Sequence, residues 1–576
     1  EAVPAREALT IAQSGEKAKR ITEFGRRFDE AARGATPLER EVFLQGKGRL
    51  AGELAPSEFT VPAGKFSQEE VGSLMNAVWK ASGDDNFALL NNMEAFDRLF
   101  FQGRIPQPAQ IARLEKIFGK DLPESIMNLR TKKGKAWDAA MDILGIPRAI
   151  VASFDLSPFR QAAPLLFGEP GSAGSATGTG FKMIWESLAH RRGVKFADDV
   201  MGGIQENPNF GLLEEAGVYL APVGKNIAKA RPGAREESFI SSYVSSIPGL
   251  NVSQRFHSLF LNKIRSDVFY KYAREWEGKN KVLQDYKDLA AFINNATGRG
   301  PLGPLAKAPE LADLMNVFFF APRFMTSRPA FLAGGAAVAA RGHNPQVSKI
   351  WAKNLVAFAG TGGTMLWLAS QHPNIDVEWN PKSSDFAKLK ITDPKASPAS
   401  TRIDIWGGFQ PIVRYAAQVA TRRRKPLSGG PEQEIAVTPT IMRFLQAKLN
   451  PITAFGRDVV QGEDFLGEEV RGGFEGVGDQ LMKRVVPMAI QDINDAAQKA
   501  SPLGRGLSPL AFIGQGVQTF EDIQGMRNHI SIRDLPGDLL YDERTIEERS
   551  EIDRHPEMKA WREELSLIHI SEPTRP

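Results

Sequence analysis

Between Asn354 and Gln371 the chain runs for eighteen positions without an Asp, Glu, Lys or Arg, and such a stretch has two homes. It lies in the hydrocarbon of a bilayer, for which about 17 residues is the lower limit, or it is buried against other helices. Gly360, Thr361, Gly362, Gly363 and Thr364 dilute its apolar character. Insertion gains little from Gly and Thr, whereas small residues let helices approach closely. The composition therefore favours a buried helix with a close-packed glycine patch. A second apolar segment, Pro329 to Ala340, is too short to cross a bilayer alone. A bilayer-inserted hairpin of the two segments, with Arg341, His343 and Lys349 in its connecting turn, is the alternative.

Helical signals fill most of the remaining chain. Ser67 followed by Glu70 is a capping box, and Val71, Leu74 and Val78 then share one face. Pro108 can open a helix that carries Ile111, Leu114 and Ile117 and closes at Gly119. Residues 134–167 form another helical unit, broken at Pro147 and near Pro158. In Ser253–Lys279, Phe256, Phe260, Ile264 and Val268 recur every four residues, and Leu259, Phe269, Tyr272 and Trp276 widen the stripe. Further helices are expected at Pro411–Thr421, Pro439–Leu449, Gly478–Lys499 and Leu510–Gln524, followed by a charged segment, 542–565. Phe386–Ile391 and Thr401–Trp406 alternate like strands, and Thr392–Ser400 joins them into a hairpin that must lie on the helical body.

The expected fold is mainly α, multi-helical and elongated or bundle-like, with one small β-hairpin near residues 386–406. The expected divisions are an N-terminal helical or linker fragment (1–66), a helical subdomain (67–167), a flexible linker (168–180), a central helical domain (181–425), a C-terminal helical region (426–541) and a charged helix or linker (542–565). The linker assignment rests on the run GEPGSAGSATGTG. A phosphate-cradling loop would end Gly-Lys-Ser/Thr, but this run ends Gly180-Phe181-Lys182. Glu1 and its neighbours lack the apolar core of a signal peptide, and the start is expected to be internal to a larger product. Ser566–Pro576 resembles translated sequencing adapter, which predicts an open reading frame cut at a contig edge.

Signals of chemistry are few. The chain has no cysteine, which removes disulfides, thiolate metal sites and cysteine nucleophiles. Its seven histidines are isolated, and neither His-Glu-x-x-His nor Gly-x-Ser-x-Gly occurs. Glu214-Glu215, Asp198-Asp199 and Glu468-Glu469 are sequence neighbours on helix-like stretches, so they diverge and cannot straddle one glycosidic bond. No catalytic residue, metal ligand or cofactor is assigned. A net charge of +4 over 576 residues is too weak to argue for nucleic acid by itself. Arg422, Arg423, Arg424 and Lys425, at the end of an expected helix, complement its dipole. Four adjacent cations exceed what capping needs, which makes them candidate contacts for DNA or lipid phosphate.

An ordered series of short motifs carries a family resemblance: Asp155–Gln161 (DLSPFRQ), Phe260–Phe269 (FLNKIRSDVF), Asn295–Gly300 (NATGRG), Phe320–Arg328 (FAPRFMTSR), Ser384–Lys388 (SDFAK) and Thr401–Gln410 (TRIDIWGGFQ). From about Asn92 to Gln524 the chain resembles phage and prophage proteins with a large polyvalent protein-associated domain. The resemblance implies a non-enzymatic structural or delivery module of a phage polyvalent protein, packaged in the virion and delivered with DNA. Its partners would be other virion proteins or further domains of the same product, with DNA and the host inner membrane as further contacts and no small-molecule substrate. Its location would be the virion, then the infected cell, in the cytoplasm or at the inner membrane. Arg299, Arg323, Arg328 and Arg402 fall in the matching motifs, as phosphate contacts or as intramolecular ion pairs. The alternative is a cell-wall hydrolase with a site assembled from scattered carboxylates.

Overall fold

The computed structural model describes residues 36–42, 66–104, 108–119, 158–187, 190–223, 250–303, 321–342, 345–426, 431–446 and 488–561, with a few single residues beside them. Most of the expected elements in 1–66, 134–157, 304–320 and 451–487, and the tail 566–576, lie outside the described residues. The chain is mainly helical. Helix α1 (Gln68–Ser82) starts on the expected capping box: the Glu70 amide donates to Ser67 Oγ at 3.2 Å, and the Ser67 amide donates to Glu70 Oε2 at 2.7 Å. Helix α2 (Asn86–Phe100) and helix α3 (Pro108–Phe118) pack on it, and Phe96 of α2 stacks on Phe118 of α3. Gly119, at a φ of 97°, ends α3.

The run expected as a flexible linker is helical instead, within α4 (Pro170–Ser187). Its small residues form a packing face: Ala173, Ala176 and Gly180 are buried, and a Cβ on Gly180 would stand 2.7 Å from the Phe256 ring. Glycine and serine disfavour an isolated helix, but here they let α4 lie flush on α6 (Leu250–Trp276), across α5 (His190–Gln205). Tertiary packing outweighs local propensity. The long α6 falls within a residue or three of its expected bounds. Just before α4, Glu169 is 1 % exposed and accepts hydrogen bonds from Tyr272 Oη at 2.6 Å, Lys271 Nζ at 2.7 Å and Lys353 Nζ at 3.1 Å.

Helices α7 (Leu283–Ala296), α8 (Pro322–Ala340) and α9 (Pro345–Ala369) carry the core toward the sheet. A run of touching rings leads from Phe292 through Trp351, Phe331 and Phe409 to Phe358 and Trp406, at centroid distances of 5.2–6.1 Å. The charge-free stretch lies in α9 and has two faces. On one, Phe358, Gly362 and Leu366 are buried, and Gly362 meets the Trp406 ring. On the other, Val356 is 70 % exposed and Trp367 58 %. Among the described residues no helix is long and apolar enough to cross a membrane.

The β structure exceeds the single expected hairpin. Strands β1 (Ile375–Val377), β2 (Leu389–Ile391) and β3 (Ala399–Asp404) precede α10 (Phe409–Thr421). A two-stranded ribbon of β4 (Arg423–Arg424) and β5 (Gln433–Glu434) then leads into α11 (Val437–Gln446). After α12 (Met488–Lys499), residues expected as one helix from Leu510 to Gln524 become a 3-10 turn (Ser508–Ile513) and strand β6 (Gly516–Glu521). All four strands of the main sheet are antiparallel, in the order β1-β2-β3-β6. An apolar run of this length reads equally well as helix or strand. The unpaired edge of β3 decided the matter, because β6 supplies its hydrogen bonds. Helices α13 (Ile523–Asp534) and α14 (Ile546–Arg554) and a helical segment over 556–561 close the described chain, and Met526, Ile530, Ile552 and Met558 form a small core of their own.

Candidate functional site

Strand alternation gives the sheet two unlike faces. Ile391, Ile403 and Val517 point to one side, where Ile493, Leu503 and Leu507 cover them. Arg402, one residue from Ile403, points to the other and is 1 % exposed. Its Nε donates to both oxygens of Asp385, at 3.0 and 2.9 Å, its Nη2 donates to Asp522 Oδ2, and its guanidinium lies 3.9 Å from the Phe520 ring centre. Lys390 Nζ stands 3.1 Å from Asp522. Burial alone would raise Asp522, but Lys390, the Gly525 amide and Arg402 outweigh it and hold the carboxyl below its ordinary range.

Arg328, also 1 % exposed, has no carboxylate beside it among the described residues. Its Nε donates to the Gly407 carbonyl at 3.0 Å and its Nη2 to the Gln161 carbonyl at 3.2 Å, between the rings of Phe324 and Phe409. Nη1 is buried without a hydrogen-bond partner. Burial, with the positive charge of Arg160 added, pushes this guanidinium well below its usual range. Arg160 itself donates to the Gly514 carbonyl at 3.1 Å, next to the turn that starts β6. Gly407 is at a φ of 60°, and a side chain there would meet the Arg160 carbonyl at 2.4 Å.

From Arg160 the cations continue across the end of the sheet. On α10, Gln410 donates to the Phe386 carbonyl at 2.9 Å and Gln418 to the Lys382 carbonyl at 2.8 Å. Arg414 stands one turn from each, so it faces the same loop, which carries Lys388. Tyr415 stacks on Phe444 at 4.8 Å, and Lys448 reaches back over the Phe444 ring at 5.7 Å. Arg160, Lys388, Arg414 and Lys448 are all half-buried. Burial first, then the charges of Arg414 and Arg402, lowers Lys388; burial, then Arg160 and Arg414, lowers Lys448. Asp385 and then Asp404 oppose the shift of Lys388, and Asp404 opposes that of Lys448. Asp385 is already bidentate on Arg402, and Arg414 Nε is buried without a hydrogen-bond partner.

No family model, curated protein or solved structure matches this chain.

The residues singled out in the sequence scatter. Arg402 and Arg328 are buried behind the sheet end as described. Arg299 is 9 % exposed and stacks at 3.6 Å on Tyr219, and Arg323 Nη1 lies 3.5 Å from the Gly300 carbonyl. Arg422, Arg423 and Arg424 are exposed after α10. Arg423 is paired across the ribbon with Glu434, Arg424 Nε donates to Gln433 at 3.2 Å, and Lys425 is bonded to Glu378. Arg414 and Lys448 carried no signal in the sequence. Arg160 and Lys388 stood inside quoted motifs, but only the fold brings them together. Among the described residues, no group of His, Asp and Glu side chains is arranged to hold a metal ion.

Proposed function

We propose that this chain is a structural or delivery module of a phage or prophage polyvalent protein, carried in the particle and contacting DNA phosphate through Arg422, Arg423 and Arg424. The observation that supports a structural role is the use made of its buried carboxylates. Asp385 and Asp522 converge, as a hydrolase pair must, but they converge on the buried Arg402. Glu169 is tied to Lys271 and Lys353, and Glu214 to Arg113. Carboxylates bound in this way fix the geometry of the fold, whereas a glycosidase pair must leave room for a sugar between them. The exposed arginines after α10 add a surface on which a polyanion can lie, and such binding weakens steeply with salt. Mass spectrometry of purified virions, with zymography of the isolated protein, tests the proposal. Presence in particles without wall clearance is the expected result; clearance that disappears on Asp385→Asn or Glu214→Gln substitution overturns it in favour of a hydrolase.

A further inference from the structure

The cations at the sheet end face a different ligand from any that the exposed arginines would bind. We propose that Arg160, Lys388, Arg414 and Lys448 form a binding site for one compact phosphate group, held between the loop before β2, helix α10 and the turn before β6. Independent elements converge there. The Gly514 carbonyl holds Arg160 at the start of β6. The hydrogen bonds of Gln410 and Gln418 hold α10 against the loop 382–388, with Arg414 between them facing Lys388. The Tyr415–Phe444 stack brings in Lys448, which follows the end of α11.

Like charges gathered in a half-buried place repel one another, and the four cations are offset by Asp404 and by Asp385, whose carboxylate is shared with Arg402. A dianion placed among them relieves the repulsion and accepts hydrogen bonds from several directions. Phosphate suits the set better than a carboxylate: two guanidinium forks and two ammonium point charges arrive from different elements, matching the several oxygens of a tetrahedral group. Arg414 Nε, buried and unpartnered, offers a donor at the wall of the site. The Arg328 guanidinium lies behind Arg160 and adds its charge. This assignment is independent of the mobile-element reading, since it uses none of the exposed arginines at 422–424.

The test is isothermal titration of the full chain with inorganic phosphate, a nucleoside 5′-monophosphate and glycerol 3-phosphate, each at matched ionic strength against chloride. Binding of at least one is expected, and the tightest identifies the source of the phosphate group. Lys388→Gln and Lys448→Gln should each weaken it about tenfold, while Lys279→Gln, at an exposed lysine outside both cation groups, leaves it unchanged. Relief of repulsion should also keep the melting temperature of Lys388→Gln in chloride at or above that of the parent, which separates loss of the site from loss of the fold. No binding by any of the three ligands overturns the proposal. So does binding that Lys279→Gln weakens as much as Lys388→Gln does, which would mark a diffuse ionic effect.

Discussion

Arg402 Nε donates to both carboxylate oxygens of Asp385 from the middle strand of a sheet, with Asp522 on the other side of the same guanidinium. Two carboxylates from segments 137 positions apart are thus held by one cation whose side chain is 1 % exposed. Removing the cation leaves buried negative charges facing each other. Arg402→Ala should therefore cost about 3–5 kcal/mol, read as a lower urea midpoint, and Arg402→Lys should recover part of the loss. A change under about 0.5 kcal/mol would show that the sheet does not depend on this contact.

The same network sets an acid limit. Asp522 has a folded pKa below its ordinary 3.8. The folded state therefore binds its proton less tightly than the unfolded state does. The stabilisation is fully present above about 3.8 and is lost as pH falls through the folded value. Asp522→Asn should lower stability at neutral pH and flatten the loss below about pH 4, followed by unfolding midpoints across acid pH.

Glu214 predicts the opposite slope. Burial pushes it up to about 7, against the pull of Arg113, whose Nη1 is 2.6 Å away. The folded state holds this proton more tightly than the unfolded state, whose ordinary value is 4.5. Its contribution is present below about 4.5 and is lost as pH rises through about 7, by up to about 3 kcal/mol. Glu214→Gln should abolish that fall between about pH 5 and 7.5. A parent midpoint that rises with pH over this window would mean that the Arg113 pair outweighs burial.

Helix α4 can be tested with neighbouring glycines. A Cβ on Gly178 meets nothing within 4 Å, whereas one on Gly180 meets the Phe256 ring at 2.7 Å. Gly178→Ala should stabilise by about 0.5–1 kcal/mol, as alanine does in an exposed helix. Gly180→Ala should destabilise by about 1–3 kcal/mol through overpacking. In a flexible linker neither change would move the thermal midpoint.

The two faces of α9 should differ likewise. Phe358 is 4 % exposed and touches Trp406 and Phe409, so Phe358→Ala should cost about 3–5 kcal/mol. Val356, two residues earlier, is 70 % exposed, and Val356→Ser should stay within about 0.5 kcal/mol. Chemical denaturation of the two variants measures the contrast.

Elements with strong local signals could be read in the sequence. The Ser67–Glu70 cap, the Pro108–Gly119 boundaries and the four-residue phenylalanine spacing of α6 depend on neighbours within one or two turns. The β2–β3 hairpin was legible as well, because alternation is a local property, although β2 is shorter than its alternating run and β3 begins and ends two residues earlier than its own. Strand β6 was not, since Gly516–Glu521 becomes a strand only by pairing with residues 399–404. For the same reason α4 looked like a linker: its small residues acquire a purpose only against Phe256. The cation cluster was hidden because Arg160, Lys388, Arg414 and Lys448 are far apart in the chain.

The sequence by itself determined that this is a mainly helical protein, with cap and boundary signals that place the start of α1 and the ends of α3 and a periodicity that places α6 to within three residues. Those signals are short-range energies, written within one or two turns of chain. Only the tertiary structure decided that Arg402 is sealed between two carboxylates while Arg414 and Lys448 share a half-open place with Arg160. Burial and charge pairing depend on residues brought together from distant segments, and no local pattern records which cation will meet its carboxylate first.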